Sequence, residues 1–316
     1  MNEQFKNDVL EGLSSNPKFL SSKYFYDKIG DDLFVQIMNM PEYYLTNSEF
    51  EIFSKKTDEL INSFGIEDNE KFELIELGAG DGTKTKELLK ALVHKGADFS
   101  YLPVDISQNA LNLLNADLQE EIPSLKVKVR QGDYFEVLSK FKAVDVKKVV
   151  LFLGSNIGNL KDEKSAEFLY QLGGNLNKGD ILVLGVDLIK SVDIIGPAYN
   201  DAQGITAKFN INLLHRMNAE LGANFDLGEF KHAPHYDEEE GIAKSYIESL
   251  SDQEVEISAL DKSFIFKEGE KIHMEISRKY NDEIISKILR DTDFKVISKI
   301  LDSREYFADY ILRKEA

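Results

Sequence analysis

Three glycines, an aspartate and a lysine fall within seven positions, Gly78–Ala79–Gly80–Asp81–Gly82–Thr83–Lys84. Glycines let the backbone turn sharply and put no side chain between it and a ligand. The apolar run Phe72 to Leu77 leads into the loop, and a helical pattern with Leu88, Leu89 and Leu92 on one face follows from Thr83. Strand, loop and helix open a nucleotide-type βαβ unit. Charge narrows the ligand: a pyrophosphate wants bare N–H groups at a helix N-terminus, and a carboxylate there repels it. Asp81, with Glu76 just before the loop, therefore favours a sulfonium ligand with an adenosine, S-adenosylmethionine, over a dinucleotide. Lys84 stands in the first helical turn, where the helix dipole opposes a cation; the methionine carboxylate of that cofactor is an anion it suits. Taken alone, a glycine triplet also fits a plain βα turn with exposed charges.

The elements that must carry such a site follow in order. A second strand, Phe99 to Ile106, contains Asp105 at its tip, placed to bind both ribose hydroxyls. A third, Lys126 to Gln131, ends in Gly132–Asp133–Tyr134, where Asp133 suits the adenine amino group and Tyr134 the ring face. A fourth, Val149 to Leu153, ends in GSNIGN, and a fifth spans Ile181 to Leu188. Polar groups just past the carboxyl ends of successive strands mark the ligand edge of an open α/β sheet. The expected fold class is α/β, a class I (Rossmann-like) methyltransferase sheet with an inserted α+β domain.

The flanking chain has a different texture. Helical patterns cover Asn7–Leu13 and Asp31–Met40, within a stretch dense in Tyr24, Phe25, Tyr26, Phe34, Tyr43 and Tyr44. These aromatics suit core packing or a cap whose rings face a cation; both readings stand. After a helix over Glu163–Leu176, residues 194–204 read as a loop and 206–221 as a helix. Short strands fill Phe230 to Ser277, and a helix over Asn281–Arg290 precedes the closing strands Phe294–Leu301 and Tyr306–Leu312. The expected domains are 55–193 plus 279–316, which carries the cofactor loop, and 1–54 plus 194–278.

With 316 residues, a net charge of −18 and no cysteine, the chain reads as a globular protein without disulfides or thiolate metal sites. The acidic balance argues against nucleic-acid and anionic-membrane partners. A polar, acidic start and the lack of a long apolar run fit neither a signal peptide nor a membrane span, so a cytoplasmic location is expected; a monomer is the expected state. His232 and His235 lie on a strand or turn rather than one helical face, and no metal is expected; the run Asp237–Glu240 reads as a solvated turn.

The segments FYDKIGDDLFVQIMNMPEYYLTNSE, ELGAGDGTKT, FLGSNIGNL, AYNDAQGITAKFN and HMEIS, in that order, resemble the histidine-specific Nα-methyltransferases of ergothioneine biosynthesis over nearly the whole chain. The resemblance implies transfer of three methyl groups from S-adenosylmethionine to the α-amine of histidine, giving the betaine hercynine. By motif it implies cofactor roles for Tyr43, Gly78, Gly80, Lys84, Asp105, Asp133 and Tyr134, the last standing where the family usually has Phe. Asn159 and Tyr199 match positions that hold the substrate carboxylate, Tyr26 and Phe34 match aromatics beside the amine, and Gly154 lines that pocket. Glu275 and Ser277 match the pair that hydrogen-bonds the imidazole; Tyr26, Asn159 and Tyr199 stand as the catalytic set. On its own, the spacing of Glu275 and Ser277 also fits two polar groups on the solvent face of a strand. Ser245 stands where the family commonly has Met, so the side-chain pocket departs from the pattern. An Nα-methyltransferase for a tryptophan-like amino acid is the alternative that this departure raises. A non-catalytic S-adenosylmethionine binder is the alternative outside catalysis.

Overall fold

Phe72–Leu77 (β1) is buried at every position, including Glu73 and Glu76, as expected of a central strand covered on both faces. The computed structural model describes residues 3–67, 69–132, 134–139 and 146–316, so Asp133 lies outside the described residues. Four more strands follow: β2 (Phe99–Asp105), β3 (Arg130–Gln131), β4 (Lys147–Phe152) and β5 (Ile181–Asp187). Six short strands come next: β6 (Phe230–His232), β7 (His235–Asp237), β8 (Ile242–Ser249), β9 (Gln253–Ile257), β10 (Lys262–Phe266) and β11 (Lys271–Arg278). The chain closes with β12 (Phe294–Leu301) and β13 (Phe307–Lys314). It divides into two compact units, residues 1–44 with 190–277 and residues 45–189 with 278–316.

The second of these units holds a seven-stranded sheet in the order β12-β13-β5-β4-β1-β2-β3. β1 runs parallel to β2 and β4, β2 to β3 and β4 to β5, whereas β13 is antiparallel to β5 and to β12. Alternation along β1 feeds two cores: Phe72 and Leu74 pack with Leu88, Leu92 and Tyr101, and Ile75 and Leu77 pack with Leu169, Leu172 and Val186. Each such fully buried aliphatic side chain contributes about 1.5–3 kcal/mol. At the sheet edge, β3 is shorter than the expected Lys126–Gln131. Only a bridge between Tyr101 and Val127 accompanies the ladder at residues 130–131, because an edge strand has a neighbour on one side only.

The first unit is α+β. β8 has β11 and β6 as neighbours and also pairs with β7, while β9 and β10 form a separate hairpin. Its core gathers Phe5, Val9 and Leu13 of the helix Glu3–Ser14, Phe209, Leu213 and Met217 of the helix Ile205–Leu221, and Ile247 and Ile272 of the strands. The loop expected at 194–204 is a helix over Val192–Tyr199 with Pro197 inside it. In so short a helix the proline forgoes one backbone bond, to the carbonyl of Asp193 near the N-terminus, and burial of Ile195 and Ala198 compensates. Among the described residues no helix is long and apolar enough to cross a membrane.

Candidate functional site

Where β1 ends, Gly78 turns the chain at φ 75°, and its amide donates to the carbonyl of Val104 at 2.8 Å. A methyl group on Gly78 would lie 2.8 Å from the Tyr134 hydroxyl and 3.8 Å from Asn156 Nδ2. One on Gly154 would lie 3.6 Å from the same Asn156 atom and 3.8 Å from Lys84 Nζ. Gly78, Lys84, Tyr134, Gly154 and Asn156 therefore crowd around the carboxyl ends of β1 and β4, and absent Cβ atoms keep that space clear. A Cβ on Gly80 would meet nothing within 4 Å, so bare backbone faces open space at the second glycine. Asp105, at the tip of β2, takes the amide of Ser107 on Oδ1 at 2.9 Å, and a carboxylate so engaged keeps acceptor capacity on both oxygens. Tyr134 opens the helix Tyr134–Ser139, its ring edge-on to Phe152 with centroids 6.1 Å apart.

The β4 loop is built under constraint. Ser155 takes a left-handed backbone, φ 57°, and its Oγ accepts from the amide of Asp187 at 3.0 Å. Asp187 in turn pairs with Lys279 at 2.8 Å, both side chains fully buried. Breaking such a pair strands a buried charge, at a cost of about 3–5 kcal/mol. The turn Asn156–Asn159 that follows carries Asn159, and a methyl on Gly158 would fall 2.7 Å from the carbonyl of Arg278. The loop is thus clamped from the β5 end and from residue 278.

Charge beneath the glycine loop includes a partner within the chain. Lys84 Nζ contacts the carboxylate of Glu49, so the anion it faces within the chain is a glutamate of the helix Tyr44–Lys55. Both oxygens of that carboxylate also accept from the Gly154 amide, each at 3.0 Å. Burial opposes the Lys84 charge, but Glu49 outweighs it and holds the ammonium above its ordinary range. Glu76 accepts from Thr85 Oγ1 at 2.8 Å and from the Tyr101 hydroxyl; burial, only partly offset by these bonds, pushes its carboxyl up to about 7.

The other expected residues lie in the unit of residues 1–44 and 190–277. Tyr26, Phe34 and Phe209 form an aromatic trio with centroids 5.5–5.8 Å apart. Tyr26 keeps 44 % of its surface accessible. Burial of its phenol, then the charges of Glu275 and Asp31, push that group above its usual range. Glu275 and Ser277 sit two apart on β11, Glu275 half-buried and Ser277 buried. Ser245 of the neighbouring strand β8 is 3 % exposed and faces inward with Ala243 and Ile247. Tyr199 ends its helix with its carbonyl 2.9 Å from His232 Nε2. Burial lowers His232 below its usual range, so a neutral ring donating through Nε2–H fits that contact. Tyr43 belongs to this unit, half-buried against its core, whereas Gly154 and Asn159 belong to the other.

Sequence reasoning missed Glu49 and Asn156. A carboxylate mid-helix in LTNSEFEIF looks like any surface acid, and only the position of Asn156 beside Gly154 gave it a signal.

A parallel sheet extended by an antiparallel β13 placed between β5 and β12, with a glycine turn after β1 and an acid at the tip of β2, defines a class I methyltransferase unit. The family model of histidine-specific, S-adenosylmethionine-dependent methyltransferases matches residues 5–314. A histidine N-alpha-methyltransferase of Mycolicibacterium smegmatis is 38 % identical over 281 residues, 89 % of this chain and 86 % of that protein. One of Mycobacterium tuberculosis is 35 % identical over 89 % of this chain and 85 % of that protein. Ergothioneine biosynthesis protein 1 of Schizosaccharomyces pombe is 31 % identical over 94 % of this chain, which spans 39 % of that longer protein. The chain belongs to the histidine-specific, S-adenosylmethionine-dependent methyltransferase family.

Proposed function

We propose that this protein methylates the α-amine of L-histidine with S-adenosylmethionine, three times in succession, to give hercynine for ergothioneine synthesis. The observation that carries the reading is the aromatic trio of Tyr26, Phe34 and Phe209 within electrostatic reach of Glu275: ring faces for a nitrogen that gains charge, beside an acceptor for an imidazole N–H. Ser277 joins Glu275 at the imidazole, and Asn159 and Tyr199 take the α-carboxylate. Gly154 lines the acceptor pocket. Residues 45–189 with 278–316 hold the cofactor, and residues 1–44 with 190–277 hold the amino acid.

Open backbone at Gly80 and the carboxylate of Asp105 fit an adenosyl ligand. Tyr43, Gly78, Gly80, Lys84, Asp105 and Tyr134 would hold it; when bound it supplies an electrophilic methyl on sulfonium. The chain's own work is alignment. Methyl transfer is an in-line displacement, so a neutral amine held at the right angle needs no strong base, and orientation supplies most of the rate. Aromatic faces stabilise each more highly methylated, cationic product.

Incubation with isotopically labelled cofactor and each of the twenty amino acids tests the reading. Histidine is the expected acceptor, with a trimethylated product by mass spectrometry; a preference for tryptophan would favour the pocket that Ser245 leaves roomier. Cofactor uptake without turnover on any amino acid would leave a binding protein only. Within the cofactor set, Asp105→Ala is expected to weaken S-adenosylmethionine binding at least tenfold. Charge-assisted hydrogen bonds are worth about 1.5–3 kcal/mol each, and this one lies at a strand tip where the fold survives its loss. Unaltered affinity by calorimetry would remove Asp105 from the site.

A further inference from the structure

Asp309 lies in the middle of β13, fully buried, and neither of its carboxyl oxygens has a hydrogen-bond partner among the described residues. Its sheet neighbours offer nothing polar in their side chains: Gly185 stands opposite on β5 and Ile300 opposite on β12. What faces it is Glu49. A methyl group built on Gly185 would collide with Glu49 Oε1 and come within 3.0 Å of Asp309 Oδ1, so the glycine leaves a hole that two carboxyl groups share. An ionised carboxylate without a donor is not tolerated in such a place. Two carboxyls in one buried site keep one proton between them, because like charges so close cannot both ionise.

We propose that Glu49 and Asp309 form a buried carboxyl pair holding one proton, in which the Glu49 carboxylate is the positioning residue of the cofactor half-site. It ties the Lys84 ammonium and the Gly154 amide to a single point, while the proton rests on Asp309. Lys84 at the start of the helix Thr85–His94 and Gly154 after β4 come from separate segments, and Glu49 is the group that both contact. Burial first, then the Glu49 charge, hold Asp309 well above the ordinary range of an aspartic acid, against the opposing pull of Lys84. Glu76 on β1, a further titratable neighbour, faces Lys84 as well. The functional half of the proposal rests on reading Lys84 and Gly154 as ligand-facing groups; the proton does not.

The proton is read by stability. An aspartic acid in the unfolded chain ionises near pH 4, whereas folded Asp309 keeps its proton far above that. Between the two values only the unfolded chain gives up the proton, so each pH unit of rise costs wild type about tenfold in the folding equilibrium. An asparagine amide in its place ionises in neither state. Asp309→Asn is therefore expected to match wild type near pH 4 and to gain on it by about 2 °C in Tm for each pH unit above that over which folded Asp309 keeps its proton. Glu76 is common to both proteins and cancels in the difference. A Tm deficit of Asp309→Asn that grows with pH would mean an ionised Asp309 and would overturn the pair. Positioning is read by cofactor binding to the folded full-length chain: Glu49→Gln is expected to raise the Kd for S-adenosylmethionine tenfold or more. An unchanged Kd, or a tighter one, would show that Glu49 merely competes for Lys84. If wild type itself bound no S-adenosylmethionine, the cofactor reading would fail while the pH series still decided the proton.

Discussion

Histamine and histidinamide should be acceptors poorer than histidine by roughly 10³-fold or more in kcat/KM. The expectation follows from assigning Asn159 and Tyr199 to the α-carboxylate. A site built around donors for an anion leaves them unpaired when a ligand lacks it, and stranded polar groups discriminate far more strongly than a missing methylene. The local structure supports such rigidity at both residues. Asn159 closes a short helical turn whose preceding Ser155 is locked to the Asp187 amide, and Tyr199 ends a helix whose carbonyl is held by His232. The backbone that carries each side chain is therefore anchored. Tyr199→Phe should lower the rate on histidine and leave the rate on histamine nearly where it was, which closes the gap from one side. Equal kcat/KM for histamine and histidine in wild type would sink the carboxylate assignment while leaving methyl transfer itself intact.

Legibility in the sequence tracked the length and symmetry of each signal. The continuous apolar run of β1 and the span of β12 coincide with the expected boundaries, because burial on both faces, or clear turns at both ends, leave little room for slippage. The helix Val192–Tyr199 was hidden by Gly196 and Pro197, local breakers that tertiary burial of Ile195 overrides. The glycine loop, Asp105 and the β4 loop were readable because strand ends in an open sheet converge on one edge. Glu49 and Asp309 were not. Each is a single acid whose meaning comes from a partner more than two hundred residues away in the chain, and pairing at that range leaves no local pattern. One faint signal existed: an aspartate in the centre of FADYIL, an otherwise apolar run, is costly without a reason. In the acceptor unit the aromatic trio draws Phe209 from a helix whose sequence spacing gave no hint of Tyr26 or Phe34. Motif resemblance supplied Glu275 and Ser277, which spacing alone left on either face of a strand.

Glu275→Ala should cost histidine roughly 2–4 kcal/mol of transition-state binding, about 30- to 1,000-fold in kcat/KM, and at the same time narrow the preference over phenylalanine and tryptophan. Both effects have one origin. A carboxylate accepts hydrogen bonds and cannot donate, so it favours a ring that presents N–H and shares positive charge. Imidazole does so; phenyl does not, and it would offer the half-buried carboxylate of β11 no donor. Removing the charge removes the penalty on apolar rings together with the reward for histidine. Burial first, then the Glu275 charge, raise the Tyr26 phenol, so that charge acts on a member of the aromatic trio. Ser245 tests the same point from the other side. Buried on β8 beside β11, it has less volume than the methionine common in the family, so Ser245→Met should tighten histidine selectivity by filling space a larger ring would need. The decisive data are kcat/KM for histidine, tryptophan, tyrosine and phenylalanine in wild type and Glu275→Ala. A variant that loses activity on all four in proportion would show Glu275 supporting the fold of β11, and a wild type that prefers tryptophan would show the pocket reading the indole rather than the imidazole.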